Sequence, residues 1–138
     1  MSKAVTIRFK RDHLVSIPGH GFDEGTLQAI EDGDSVTVMV GSDVMLCGGI
    51  TEYWKGRGQI WAWFNPESKK NFVPVFRAIR SWLKSMMNKY ARIEMCVDYG
   101  LEIANRRARL LGFELECERA KRFLPCGGDA TLYSLVRV

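Results

Sequence analysis

The sequence predicts an α+β domain with a mixed central sheet. Three observations carry this. The first half alternates β-branched segments with glycine turns. One long stretch after it repeats apolar residues at steps of three and four. A strand, a shorter helix and a closing pair of strands complete the order. Strands first, then helices interleaved with strands, is the order of a sheet covered by helices.

The elements follow in turn. Val5 to Phe9 alternates apolar and polar residues, as a half-buried strand does. The glycine-rich and acidic stretch after it has room for one short helix, from about Thr26 to Glu31, before the turn at Gly33-Asp34. Ser35–Val40 reads as a strand, Gly41-Ser42-Asp43 as a hairpin turn and Val44–Ile50 as the antiparallel partner. The adjacent glycines Gly48 and Gly49 mark a bulge or a close backbone approach. Gly56-Arg57-Gly58 turns into a third strand, Gln59–Phe64, so this region is a β-meander.

The long amphipathic helix carries Phe72, Val75, Phe76, Ile79, Leu83, Met86, Met87 and Tyr90 on one stripe. Pro74 is tolerated in a first turn, which makes Asn71 the expected N-cap. A start at Ser68 with a kink at Pro74 is the competing reading. Arg92–Tyr99 alternates as a strand. Leu101–Leu111 forms the short helix, stopped by Gly112. Phe113–Glu118 and Ala130–Val138 close the sheet around a turn at Pro125–Asp129.

Composition narrows the function classes. The chain has 138 residues, with 20 Lys plus Arg against 16 Asp plus Glu, a net charge of +4. That length supports one domain, 1–138, with a core that needs neither disulfide nor metal. The basic residues cluster in places, at Lys69-Lys70, Arg77 to Lys84 and Arg106-Arg107-Arg109, but acidic ones are interspersed, so the balance suits a phosphate or an acidic ligand as well as DNA. Cys47, Cys96, Cys117 and Cys126 show no metal-binding spacing, and neither His13 nor His20 adjoins one. No metal is expected. Their apolar neighbours suggest buried free thiols, although a Cys117–Cys126 pair remains geometrically open. The N-terminus lacks a signal-peptide core, and no apolar run spans a bilayer. A cytoplasmic, non-secreted protein without membrane contact is expected.

One segment carries a resemblance. Val97-Asp98-Tyr99 leads through Arg107-Ala108-Arg109 to Leu111-Gly112-Phe113-Glu114, and the chain closes with Gly127-Gly128-Asp129-Ala130-Thr131-Leu132-Tyr133-Ser134. This resembles the C-terminal half of GNAT acetyltransferases. More narrowly, Ile60 to Val138, with Trp61-Ala62-Trp63 and Phe76-Arg77 on the long helix, is similar to GNAT-like proteins of tailed bacteriophages. Some of those are named internal virion or assembly proteins, others acetyltransferases. The first half matches only by element order.

The resemblance implies acetyl-CoA or CoA as cofactor, with its pyrophosphate where the meander meets the long helix. A helix N-terminus offers N–H groups to an anion there, and glycines let the backbone approach. The corresponding residues are Phe64, Pro66, Ser68, Lys69, Lys70 and Asn71. Pro66 matches a common family proline, and Lys69 can stand for the basic residue. Lys70 and Phe72 occupy the glycine positions. The stretch is either a modified anion site or a solvated helix start.

Counting back from Gly112, Ala108 falls where many family members carry a tyrosine acid, and alanine has no proton to give. Tyr99 is the neighbouring phenol, either a substitute acid or a packing residue. Asp98 is the leading candidate for a general base, ahead of Glu94 and Glu52, and alternatively caps the short helix. Tyr53 and Trp54, in a turn with Lys55 and Arg57, could stack on a base or an adenine ring. Trp61 and Trp63 share a strand face and read as packing. These features lead to three expectations: a phage-type GNAT-fold binding or virion-assembly protein with little or no catalysis, its partners phage virion or host proteins; an N-acetyltransferase acting on an amine; or a nucleic-acid-binding domain.

Overall fold

The computed structural model describes residues 3–17, 19 and 21–138; His20 lies outside them. Among the described residues, seven strands and three α-helices follow in the order β1 (Ala4–Arg8), α1 (Glu24–Asp32), β2 (Asp34–Val40), β3 (Asp43–Trp54), β4 (Arg57–Phe64), α2 (Phe72–Met86), β5 (Arg92–Asp98), α3 (Glu102–Leu110), β6 (Glu114–Ala120) and β7 (Ala130–Val136). The strands form one sheet in the order β1-β2-β3-β4-β5-β7-β6. The pairings described are antiparallel except for β4 with β5. The expected mixed sheet, meander, long helix, strand, short helix and closing pair are all present.

The chain divides into two compact units, Met1–Thr51 with Ile60–Ser85 and Glu52–Gln59 with Met86–Val138. In the first, Phe9, Leu14, Ile17, Val44 and Cys47 form a buried cluster against which Phe22, Leu27, Ile30, Met39 and Trp63 pack. A 3₁₀ helix at Arg11–Ser16, which no periodicity announced, delivers Leu14 to this cluster. Arg11 fixes it to α1 through ion pairs with Glu31 at 2.7 Å and with Glu24. The Asp23 carboxylate caps α1 by accepting the Thr26 N–H at 2.7 Å, so the helix starts two residues earlier than expected.

The glycine pair in β3 is a close approach. A Cβ on Gly48 would lie 2.9 Å from the Trp61 carbonyl, and one on Gly49 only 2.7 Å from the Asp34 carbonyl and 2.9 Å from the Trp61 indole. Trp61 and Trp63 are packing residues, as expected: Phe22 meets both edge-on, at 6.0 Å and 5.6 Å between ring centres.

In the second unit, Ile93 of β5 and Ala108 of α3 are fully buried. Gly112, at φ +94°, ends α3 in the left-handed region, and the Phe113 N–H returns to the Ala108 carbonyl at 3.1 Å. Tyr90 lies beyond the end of α2 rather than on it, yet is 1% exposed. All four cysteines are free thiols. Cys47 is buried as expected, whereas Cys126 is exposed because the turn before β7 carries it outward.

Candidate functional site

The junction between β4 and α2 lies wholly within the first unit. The chain is helical there before α2 begins. Pro66–Asn71 form a 3₁₀ helix that continues without a gap into α2 at Phe72, whose backbone is helical at φ −53°, ψ −51°. Proline suits such a start because its missing N–H is not needed. The cap is Asn65, not Asn71: its Oδ1 accepts the Glu67 N–H at 3.0 Å, and its carbonyl accepts the Ser68 N–H at 2.9 Å. Asn65 is itself anchored to β3, donating from Nδ2 to the Val44 carbonyl at 2.8 Å and from its backbone N–H to the Met45 carbonyl at 2.8 Å. Asn71 instead points its amide at the Met45 sulfur, 3.8 Å away. Pro74 lies in the first turn of α2.

This geometry decides what the junction offers an anion. A helix N-terminus binds anions through N–H groups left without partners. Here the helical run begins at Pro66, and the first donors meet the Asn65 side chain and carbonyl. The Glu67 carboxylate occupies the first turn and pairs with Lys70 at 3.3 Å. Lys69 is exposed, Ser68 is 9% exposed, and Phe64 closes β4 half-buried. Phe72 stacks on Phe76 with 4.3 Å between ring centres. No glycine occurs between Gly58 and Gly100. The residues present do not fit a pyrophosphate cradle of the glycine-lined kind.

Asp98 and Tyr99 lie in the second unit, at the end of β5. Asp98 pairs with Ala130 of β7, and its carbonyl accepts the Leu101 N–H at 3.1 Å. The N-cap position of α3 is Leu101, which makes no side-chain cap, so the Asp98 carboxylate is not the cap. It is exposed and has no partner among the described residues. Tyr99 is held from two sides. Its N–H donates to the Asp129 carbonyl at 3.0 Å, and the Arg119 guanidinium lies 4.6 Å from its ring centre. Arg119 is in turn fixed by the Asp129 carboxylate at 2.7 Å.

The other acidic candidates are engaged. Glu94 pairs with Arg57 and Arg92, and the Arg57 hydrogen bond above all holds its carboxyl below the usual range, which suits a structural carboxylate rather than a base. Glu52 accepts from the Tyr90 hydroxyl at 3.4 Å. Tyr53 and Trp54 are strand residues of β3, because β3 runs on to Trp54. The Arg57 guanidinium lies over both rings, at 5.1 Å and 4.4 Å. The His13 imidazole is committed to Thr37 at 2.7 Å. Among the described residues no three His, Cys, Asp or Glu side chains come together as a metal site, and no helix is long and apolar enough to cross a membrane.

Sequence reasoning missed Tyr133. This β7 residue is 3% exposed, and its hydroxyl donates to Asn105 of α3 at 2.6 Å and accepts from Arg109 at 3.4 Å. It brings a phenol to the helix that carries Ala108. No spacing in the chain announces that contact, which joins residues 28 positions apart.

No protein-family model and no curated protein matches the sequence. Solved structures do match the fold. A GNAT-family acetyltransferase from Bacillus anthracis aligns with a TM-score of 0.76 at 15% identity, over 99% of this chain and 96% of that one. The ribosomal-protein-S5-alanine acetyltransferase from Vibrio fischeri aligns at 0.73 and 17%, over 99% and 94%. The NatC complex bound to a Gag peptide and CoA aligns at 0.74 and 11%, over 99% of both chains. The chain has the GNAT fold.

Proposed function

We propose that this chain is a GNAT-fold binding protein of the tailed-phage type, serving virion assembly through phage or host protein partners, with little or no acetyl transfer. The observation that carries this reading is the β4–α2 junction. It is helical from Pro66, capped by Asn65 and occupied by Glu67 and Lys70, where a pyrophosphate would need open N–H groups. The phage attribution rests on the sequence resemblance of residues 60–138. The test is acetyl transfer from labelled acetyl-CoA to a mixture of peptide N-termini and lysine amines. The expected result is no transfer above the rate without protein; turnover would overturn it.

A second reading, acetyl-CoA-dependent N-acetylation of an amine, is favoured by the exposed, unpartnered Asp98 carboxylate and by the fold shared with a CoA-bound structure. A base near the amine and positioning of the reactants are what such a reaction needs. If transfer is observed, Asp98→Asn should lower it at least tenfold. Unchanged transfer would remove Asp98 from the mechanism.

A further inference from the structure

The two edges of the sheet differ in kind. An open strand edge invites pairing with another chain, and charges or irregular register block it. The β6 edge carries Glu114, Glu116, Glu118 and Arg119, and its register with β7 breaks twice. The β1 edge is less protected, with Arg8 at its end as its one charge. Its five residues pair with β2 without a break, it contains no proline or acidic residue, and Val5 and Ile7 are 45% and 42% exposed.

Beside β1 lies a groove of about 650 Å³. Ala4, Val5 and Thr6 line one wall; Pro74, Arg77, Ala78 and Ser81 of α2 line the other, with Lys3 just before β1. Lys3 and Arg77 are exposed, and neither has an ion pair with a described residue. The groove thus joins free strand backbone, apolar wall and two uncommitted cations.

We propose that β1 is a docking edge for an extended, acid-bearing segment of a partner protein, which adds to the sheet as an eighth strand. Alternate side chains of an added strand face opposite ways. One set would lie beside Val5 and Ile7 and is apolar. The other lies toward Arg77 of the groove and carries carboxylates, which Lys3, just before the strand, attracts from its end. Backbone pairing supplies affinity in such strand addition, and the alternate side chains supply specificity. A second copy of this chain fits less well. Antiparallel β1–β1 pairing would bring Arg8, which shares a face with Ala4 and Thr6, toward Arg77 of the other copy. This inference is independent of coenzyme A.

The test is fluorescence anisotropy of the full chain with two fluorescein-labelled heptapeptides, one alternating valine with glutamate and one alternating valine with lysine. The glutamate peptide should bind at least tenfold more tightly, and its binding should slow hydrogen exchange at the amides of residues 4–8. Arg77→Glu, at an exposed site, should abolish or reverse the preference. Val5→Lys, which guards the edge, should weaken the glutamate peptide at least tenfold. Equal binding of both peptides, no binding at millimolar concentration, or an unchanged preference in Arg77→Glu would overturn the proposal. So would a dimer in sedimentation equilibrium that Val5→Lys dissociates, since the edge would then belong to a second copy.

Discussion

The Asn65 side chain accepts the Glu67 N–H at 3.0 Å and so occupies the point where the helical run after β4 opens. The same side chain donates to the Val44 carbonyl at 2.8 Å. Asn65→Ala removes both bonds, costing ~1–2 kcal/mol for the cap and about 1 kcal/mol for the second bond. Asn65→Ser keeps a cap acceptor and loses the bond to Val44, so it should fall between the two in urea unfolding. Equal stability of all three proteins would show that the cap does not hold the junction.

Gly49 has no space for a side chain, since an added Cβ would lie 2.7 Å from the Asp34 carbonyl and 2.9 Å from the Trp61 indole. Gly49→Ala should destabilise the protein by roughly 1–3 kcal/mol, because backbone and a packed ring must move. Thermal or urea unfolding checks this. Gly41, whose added Cβ would meet nothing within 4 Å but whose φ is +61°, isolates conformational strain from steric overlap when replaced in the same way.

Acid should weaken the second unit through Glu116. Hydrogen bonds from Arg92 at 2.8 Å and from Ser134 at 2.7 Å hold its carboxyl down at about 2, below the ordinary 4.5. A carboxyl with a lowered folded pKa contributes stability that is present above its unfolded pKa and lost as pH falls through the folded one. The loss therefore lies between about pH 4.5 and about pH 2. Glu116 is partly exposed, so screening limits the effect to ~1 kcal/mol or less. Glu116→Gln should flatten the acid limb of a stability–pH curve. Identical limbs would show that the pair contributes nothing.

Arg122 adopts φ 51° in the hairpin between β6 and β7, its N–H donating to the Asp129 carboxylate at 2.8 Å. A left-handed backbone is unfavourable for arginine and open to glycine. Arg122→Gly keeps the backbone bond and should raise stability by up to ~1 kcal/mol, read as a higher urea midpoint. A lower midpoint would mean that the arginine side chain, not its backbone, secures the hairpin.

The fold was legible wherever periodicity and turn chemistry agreed. The β-branched run before Gly41, the stripe from Val75 to Leu83 and the stop at Gly112 each report local physics, and each element lies where its pattern placed it. The junction was legible in part. The family resemblance sets Lys70 and Phe72 at glycine positions, but nothing local announces that Asn65 caps a 3₁₀ turn, because the cap is stabilised by β3 carbonyls about twenty residues away. Arg11–Ser16 was illegible for a related reason: it is held by α1 acids and a shared core, not by its own pattern. Tyr53 and Trp54 read as turn residues because Gly56 follows closely, yet β3 continues through both.

The most direct test of the proposed function is isothermal titration of the full chain with acetyl-CoA and, separately, with CoA. If Asn65, Glu67 and Lys70 close the junction to pyrophosphate, neither ligand should give heat at millimolar concentration, and neither should raise the melting temperature. Micromolar binding of either would contradict the reading, and would place the cofactor on this chain by a mode that needs no glycine cradle.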